Sequence, residues 1–273
     1  MAAILQQIVF ETRARLSAGA SASRRAELEK LAAGHRPRGF RERLMEKAQS
    51  GAAVIAELKK ASPSRGVIRE NFSAAELARE MEQAGAAALS VLTEEKHFQG
   101  SLENLRVASS IVSIPCLRKD FIVDELQLLE ARAHGADAAL LIVAALTDLE
   151  LTQLYRAARG LQLDILCEVH DEDELRRAVD LGFDIIGVNN RDLRTFQVTL
   201  ETSLRLVVEL PANALHVAES GIHSGNDIAR LRSAGYQAFL VGESLMKHLH
   251  PGMGLSALLA DADRAAVKAE ALP

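Results

Sequence analysis

Glu57 and Lys59 are charged residues two apart in the otherwise apolar run Val54-Ile55-Ala56-Glu57-Leu58-Lys59, which ends at Lys60-Ala61-Ser62-Pro63-Ser64. The run reads as a buried strand, on which side chains two apart share a face. Parallel strands covered on both faces are apolar almost throughout, so a carboxylate and an ammonium on such a face need a reason. A purely structural ion pair is a weak one, because desolvation costs roughly several kcal/mol per ion. Taken alone, a register-fixing salt bridge and a catalytic pair are evenly matched.

Other apolar runs end in the same way. They close on Leu117-Arg118-Lys119-Asp120-Phe121, Cys167-Glu168-Val169-His170, Gly187-Val188-Asn189-Asn190-Arg191-Asp192 and Ala218-Glu219-Ser220-Gly221. If these ends converge, they bring together Lys59 and Lys119, the glutamates Glu57, Glu168 and Glu219, and the amide of Asn189. That set suits proton transfer at a carbonyl or imine. No metal is expected, since a metal centre calls for several His or carboxylates at ligand spacing and His170 reads as a polar strand cap. A Schiff-base lysine needs a neutral amine, whereas neighbouring carboxylates favour the ammonium, so both lysines read as acids. The run Phe239-Leu240-Val241-Gly242-Glu243-Ser244, with Ser220-Gly221, adds glycines where backbone N–H groups and a short helix N-terminus can meet a phosphate.

The elements that must position these residues follow from a repeated punctuation. Ala84-Gly85, His134-Gly135, Leu181-Gly182 and Ala234-Gly235 each end a helical pattern just before an apolar run: Ala88 to Leu92, Ala138 to Val143, Ile185 to Val188 and Ala238 to Val241. Glycine just past a helix end takes the left-handed conformation that closes it, so each copy marks a helix-to-strand junction. Four further strands are expected at Ala53 to Leu58, Cys116 to Arg118, Asp164 to Val169 and His216 to Ala218. Helix starts are legible at Ser73, Thr147-Asp148, Asp171 and Ser224. Eight βα units predict an α/β fold, a (β/α)8 TIM barrel over residues 49–273, with the active site at the C-terminal ends of the strands. A doubly wound sheet shares this grammar, but no Gly-x-Gly-x-x-Gly follows the first strand. Residues 1–48 read as an N-terminal helical extension packed on the barrel, with helical patterns at Ile4 to Leu16 and Arg24 to Ala33. A last helix is expected at Leu255 to Lys268, with fraying at Ala271 to Pro273.

The chain has 273 residues, 48% hydrophobic and 25% charged, enough to bury a large core. A net charge of −5 argues against a nucleic-acid partner, and the longest apolar run, Ala138 to Leu146, is too short to span a bilayer. A local site can still be positive and bind a small anion. The N-terminus lacks a secretory signal, and Cys116 and Cys167 show no CxxC spacing, which predicts a cytoplasmic protein with buried free thiols. Its expected partner is a small phosphorylated substrate, and it is expected to act as a monomer or weak homo-oligomer.

Six strings resemble one family in the same order along the chain. They are Ala56-Glu57-Leu58-Lys59-Lys60-Ala61-Ser62-Pro63-Ser64, Leu92-Thr93-Glu94-Glu95-Lys96-His97-Phe98-Gln99-Gly100, Lys119-Asp120-Phe121-Ile122, Asn189-Asn190-Arg191-Asp192-Leu193, Ala218-Glu219-Ser220-Gly221-Ile222 and Leu240-Val241-Gly242-Glu243. With them the chain resembles the indole-3-glycerol phosphate synthases of tryptophan biosynthesis, almost end to end.

The resemblance implies a cofactor-independent carboxy-lyase that closes an indole ring with loss of carbon dioxide and water. It implies Lys119 as the general acid on the substrate carbonyl, Glu168 as a base, and Lys59 as a phosphate ligand that also donates a proton. Glu57 and Glu219 would orient the lysines, while Asn189, Arg191 and Ser220 would position substrate. Ser62 would contact the anthranilate carboxylate, and Pro63, Phe98, Phe121, Leu140 and Leu193 would wall its ring. Gly221, Gly242 and Glu243 would cradle the phosphate, Glu243 through its backbone N–H with its carboxylate turned away; some family members carry serine there. Residues before the barrel would fold over its mouth. One rival is phosphoribosylanthranilate isomerase, which would use a cysteine and an aspartate, but Cys167 points to the face opposite Glu168. The other is a non-catalytic barrel that only binds a phosphorylated metabolite.

Overall fold

The computed structural model describes residues 3–19 and 21–270, so the expected fraying at Ala271 to Pro273 lies outside the described residues. Eight parallel strands close into a barrel in chain order. They are β1 (Ala53–Leu58), β2 (Ala88–Leu92), β3 (Cys116–Lys119), β4 (Ala138–Ile142), β5 (Asp164–Val169), β6 (Ile185–Asn189), β7 (Leu215–Glu219) and β8 (Ala238–Val241). Each is buried along its length apart from Asp164 and Lys119 at two ends, which is why each reads as a nearly continuous apolar run.

Around the strands run α4 (Ala74–Gln83), α5 (Leu102–Ile111), α6 (Glu125–Ala133), α7 (Asp148–Gly160), α8 (Glu172–Asp180), α9 (Glu201–Leu206), α10 (Gly225–Ala234) and the short α11 (Glu243–Met246), before a long α12 (Pro251–Glu270). Ser73, Thr147, Asp171 and Ser224 cap their helices as expected, each side chain accepting an N–H from the third residue on. Gly85, Gly135, Gly182 and Gly235 all have positive φ, as the helix ends require. Several boundaries shift by one to three residues from expectation: β4 stops at Ile142 because Val143–Ala145 turn into a 3-10 helix, while β3, β6 and β7 run on to Lys119, Asn189 and Glu219. The larger shift is α12, which begins four residues early at Pro251, a residue suited to a helix start. A two-stranded ribbon, Ala61–Ser62 with Gly66–Val67, was not legible, since two-residue strands carry no periodicity.

Three helices precede the barrel: α1 (Ala3–Gly19), α2 (Ala22–Gly34) and the unexpected α3 (Phe40–Ser50). They do different things. α1 lies across the C-terminal mouth, with Leu5 and Ile8 buried and Glu11 paired to Lys96 at 2.7 Å beyond β2. α2 packs on α6, placing Leu28 and Ala32 against Leu129. α3 sits under β1, β2 and β8 at the opposite end, where Phe40 and Leu44 are fully buried. Just before α3, the Arg38 guanidinium binds both oxygens of Asp137, at 3.0 and 2.6 Å from Oδ2 and 3.1 Å from Oδ1. The other pole of that floor network is the backbone N–H of Cys116, 2.6 Å from Asp137 Oδ2.

Candidate active site

The strand register brings the polar run ends onto one face, inside the barrel. Across neighbouring strands Glu57 stands beside Ser90, Leu92 beside Lys119, Ile142 beside Glu168, Glu168 beside Gly187, Asn189 beside Glu219 and Glu219 beside Leu240. Partners in a parallel ladder point the same way, so all of these face inward at the strands' C-terminal ends. Lys59 lies just past the end of β1 rather than within it, and curls back to put Nζ 2.5 Å from Glu57 Oε2. Above them opens a cavity of about 380 Å³, roofed by Ile4, Leu5 and Ile8 of α1.

At its base the charges are tightly coupled. Lys119 Nζ is 2.9 Å from Glu168 Oε2 and 3.6 Å from Glu219 Oε2, and all three side chains are largely withdrawn from solvent. Burial disfavours the Lys119 ammonium, yet Glu168, Glu219 and Glu57 together hold its pKa well above the ordinary lysine value. Burial likewise disfavours the Glu168 carboxylate, but Lys119 and His170 hold its pKa far below the usual range. Glu219 goes the other way, raised by burial and by neighbouring Glu168, so these two adjacent carboxyls are pushed in opposite directions. Glu219 Oε1 is buried and makes no hydrogen bond.

The walls beside this cluster are apolar. Phe98 and Phe121 pack with ring centroids 6.1 Å apart and planes tilted by 44°, and Leu140, Leu193 and Pro63 complete an apolar slot. Ser62 lines the same slot with a buried hydroxyl that has no partner in the protein. An unpartnered buried hydroxyl costs about 1–3 kcal/mol, a cost that a polar ligand group removes.

At the far rim lie Asn189, Arg191, Ser220, Gly221, Gly242 and Glu243. Asn189 Oδ1 accepts the Arg191 N–H at 3.0 Å, which pins the loop after β6. Ser220 and Gly221 both have positive φ, and a Cβ on Gly221 would meet Val198 at 2.7 Å. Gly242 is needed for a further reason: its Cβ would come within 2.2 Å of Glu57 Oε2, so the glycine makes room for the carboxylate. Glu243 departs from expectation. Its carboxylate does not turn away but lies 2.7 Å from Lys247, 3.2 Å from Arg65 and 3.6 Å from Arg191. Lys247, Arg65 and Lys59 hold its pKa down against partial burial.

Every residue predicted for the site lines this cavity, and some lining residues were missed. Phe196 and Val198, in the loop after β6, gave no periodic signal. Gly187 passed as an ordinary strand residue, but its Cβ would fall 2.2 Å from Glu219 Oε1. Arg65 sits in the turn of the unforeseen ribbon. His170 is not a simple strand cap, since its ring lies between Glu168 and Glu174. Conversely, Arg118 turns outward to Asp120, Glu130 and Thr93 and is fully buried away from the cavity. Cys167 is buried behind Glu168 with its thiol pKa pushed well up by burial, which suits no acid or base role.

Comparison with known proteins agrees with this geometry. A protein-family model described as indole-3-glycerol phosphate synthase matches residues 5–256. An indole-3-glycerol phosphate synthase of Koribacter versatilis is 64% identical over 95% of this chain and 100% of its own length. Another, from Leptothrix cholodnii, is 51% identical over 82% of this chain and 86% of its own. Among solved structures, 3-hexulose-6-phosphate synthase from Salmonella typhimurium superposes with a TM-score of 0.62 at 11% identity over 78% of this chain and 99% of that one, a likeness of fold alone. With the site on one barrel mouth and its relatives matched almost end to end, the chain belongs to the indole-3-glycerol phosphate synthase family.

Proposed function

We propose that this protein closes the ring of 1-(2-carboxyphenylamino)-1-deoxyribulose 5-phosphate, releasing carbon dioxide and water to leave indole-3-glycerol phosphate. The ring carbon bearing the carboxylate attacks C2 of the sugar chain, and the carbonyl oxygen takes a proton from Lys119. The bond to the carboxylate then breaks, and its electron pair restores the aromatic ring as carbon dioxide leaves. The nitrogen lone pair expels the C2 hydroxyl as water, with Lys59 donating a proton, and Glu168 removes the C1 proton. Two protons are given and one is taken, which matches an ionised carboxylate leaving as a neutral gas.

The observation that carries this reading is Lys119, an ammonium 2.9 Å from Glu168 and 3.6 Å from Glu219 beside the Phe98 and Phe121 slot. An amine so strongly held in its protonated form is an acid and not a Schiff-base nucleophile. The slot takes the aromatic ring, with the Ser62 hydroxyl toward its carboxylate. Asn189, Arg191 and Ser220 hold the sugar chain, and Lys59 with the N–H groups of Gly221 and Gly242-Glu243 takes the phosphate. Glu57 and Glu219 orient the two lysines and stabilise the cationic intermediates.

Incubating the protein with this substrate and following indole absorbance and fluorescence tests the reading. The chain has no tryptophan, so the background is low. Appearance of indole signal with release of carbon dioxide is the expected result. Tight binding of the substrate without turnover would replace this reading with a non-catalytic phosphometabolite-binding barrel.

A further inference from the structure

His170 follows directly on β5, and its two ring nitrogens face two different carboxylates. Nδ1 lies 2.9 Å from Glu174 Oε2, an oxygen that also accepts the His170 backbone N–H at 2.8 Å. Nε2 lies 3.3 Å from Glu168 Oε1 and, buried, has no well-aligned acceptor. A neutral imidazole carries one N–H and would set a bare lone pair against one of these oxygens; the imidazolium turns an N–H toward each. Glu168 is thereby shared, with Lys119 on Oε2 and His170 on Oε1.

We propose that His170 is a positioning residue for the acid: held as an imidazolium between Glu168 and Glu174, it draws on the Glu168 charge so that Lys119 can release its proton. The inference rests on the assignment of Lys119 as acid and Glu168 as base. Glu168 at 2.9 Å and Glu219 at 3.6 Å hold the Lys119 ammonium, and an ammonium held too firmly is a slow acid. A second cation on Glu168 weakens that hold. Burial opposes the charge on His170, but Glu168 and Glu174 raise its pKa to about 10. The other charged groups nearby are engaged elsewhere. Arg177 of α8 reaches the carbonyls of Val143 and Leu146 and the Asp148 carboxylate, and Asp171 caps α8 through the Glu174 N–H. His170 does not line the cavity, so its effect should fall on kcat and spare KM.

Two measurements on the full chain test this. The first is the ring 15N spectrum of the wild type near pH 8, with the His170 signals assigned by their loss in His170→Gln. Both ring nitrogens protonated is the expected result; a neutral ring overturns the proposal. The second is the pH dependence of kcat in Glu174→Gln, which keeps an acceptor at Nδ1 but removes the charge. As pH rises from about 6 to about 9 this variant should lose its imidazolium, and its kcat relative to wild type should fall about tenfold with KM changed less than about twofold. A constant ratio across that range, even with a lower thermal midpoint, would mean a merely structural role and sinks the idea. The ring spectrum needs no turnover, so it stands or falls apart from the assignment of Lys119, which Lys119→Met tests by itself.

Discussion

Lys119 was legible because a lysine has few reasons to end a buried strand, and the structure adds what it touches. Replacing it with methionine keeps its length and removes its proton. Turnover of Lys119→Met is expected to fall by at least about 10²-fold with an unchanged circular dichroism spectrum; near-normal turnover removes Lys119 from the mechanism. Glu243 was legible as a position but not as a contact, because its cations come from three separate segments, Arg65, Arg191 and Lys247. Its carboxylate neutralises cations that a phosphate would otherwise meet. Glu243→Ser should therefore lower KM for the phosphorylated substrate about two- to fivefold, the range for partly exposed ion pairs, and strengthen inhibition by inorganic phosphate equally. An unchanged or higher KM would show that the side chain does not compete with the phosphate.

The strands and helix caps were visible from pattern because burial and capping are local demands, met by residues near in sequence. The demands on Gly187 are not local: β6 must leave space there for a carboxylate carried by β7. A methyl group on Gly187 would drive into Glu219 Oε1, so Gly187→Ala is expected to cut kcat about tenfold or more by displacing that carboxylate. Gly160→Ala, at the end of α7 with nothing within 4 Å, should leave kcat alone and serves as the control. At the floor, Asp137 stands just before β4 with a buried carboxylate held by Arg38. Removing one partner of such a pair costs about 3–5 kcal/mol, so Asp137→Ala should lower stability by that order with turnover per folded molecule little changed. Burial opposes the Asp137 charge, but hydrogen bonds from His35 and Arg38 win and lower its pKa below 3.8. A depressed folded pKa means that this stabilisation is complete above about pH 4 and is lost on further acidification. Acid unfolding should then be shallower in Asp137→Asn than in wild type, and parallel curves would show that Asp137 carries no such linkage.

The helices before the barrel serve both of its ends, which bears on where it can be cut. We propose that residues 1–48 act as an extension rather than an independent domain, with α1 as a cover and α3 as a floor. Deleting residues 1–20 should preserve a cooperative thermal transition while raising KM or lowering kcat, because the mouth loses Ile4, Leu5 and Ile8 and admits water. Starting the chain at Arg43 removes Arg38 and Phe40 as well, and should abolish cooperative unfolding. Unchanged kinetics in the first protein, or a stable second one, would each refute the corresponding half. Among the described residues no helix is long and apolar enough to cross a membrane. Barrel class, strand order and the polar strand ends could all be read from the chain, since alternation, glycine punctuation and misplaced charge are properties of neighbouring residues. Which oxygen each cation meets, the room that Gly187 and Gly242 leave for glutamates, the bridging place of His170 and the floor role of Arg38 could not. Each depends on distances between segments far apart in sequence, and only closure of the barrel brings those segments within a few ångströms of one another.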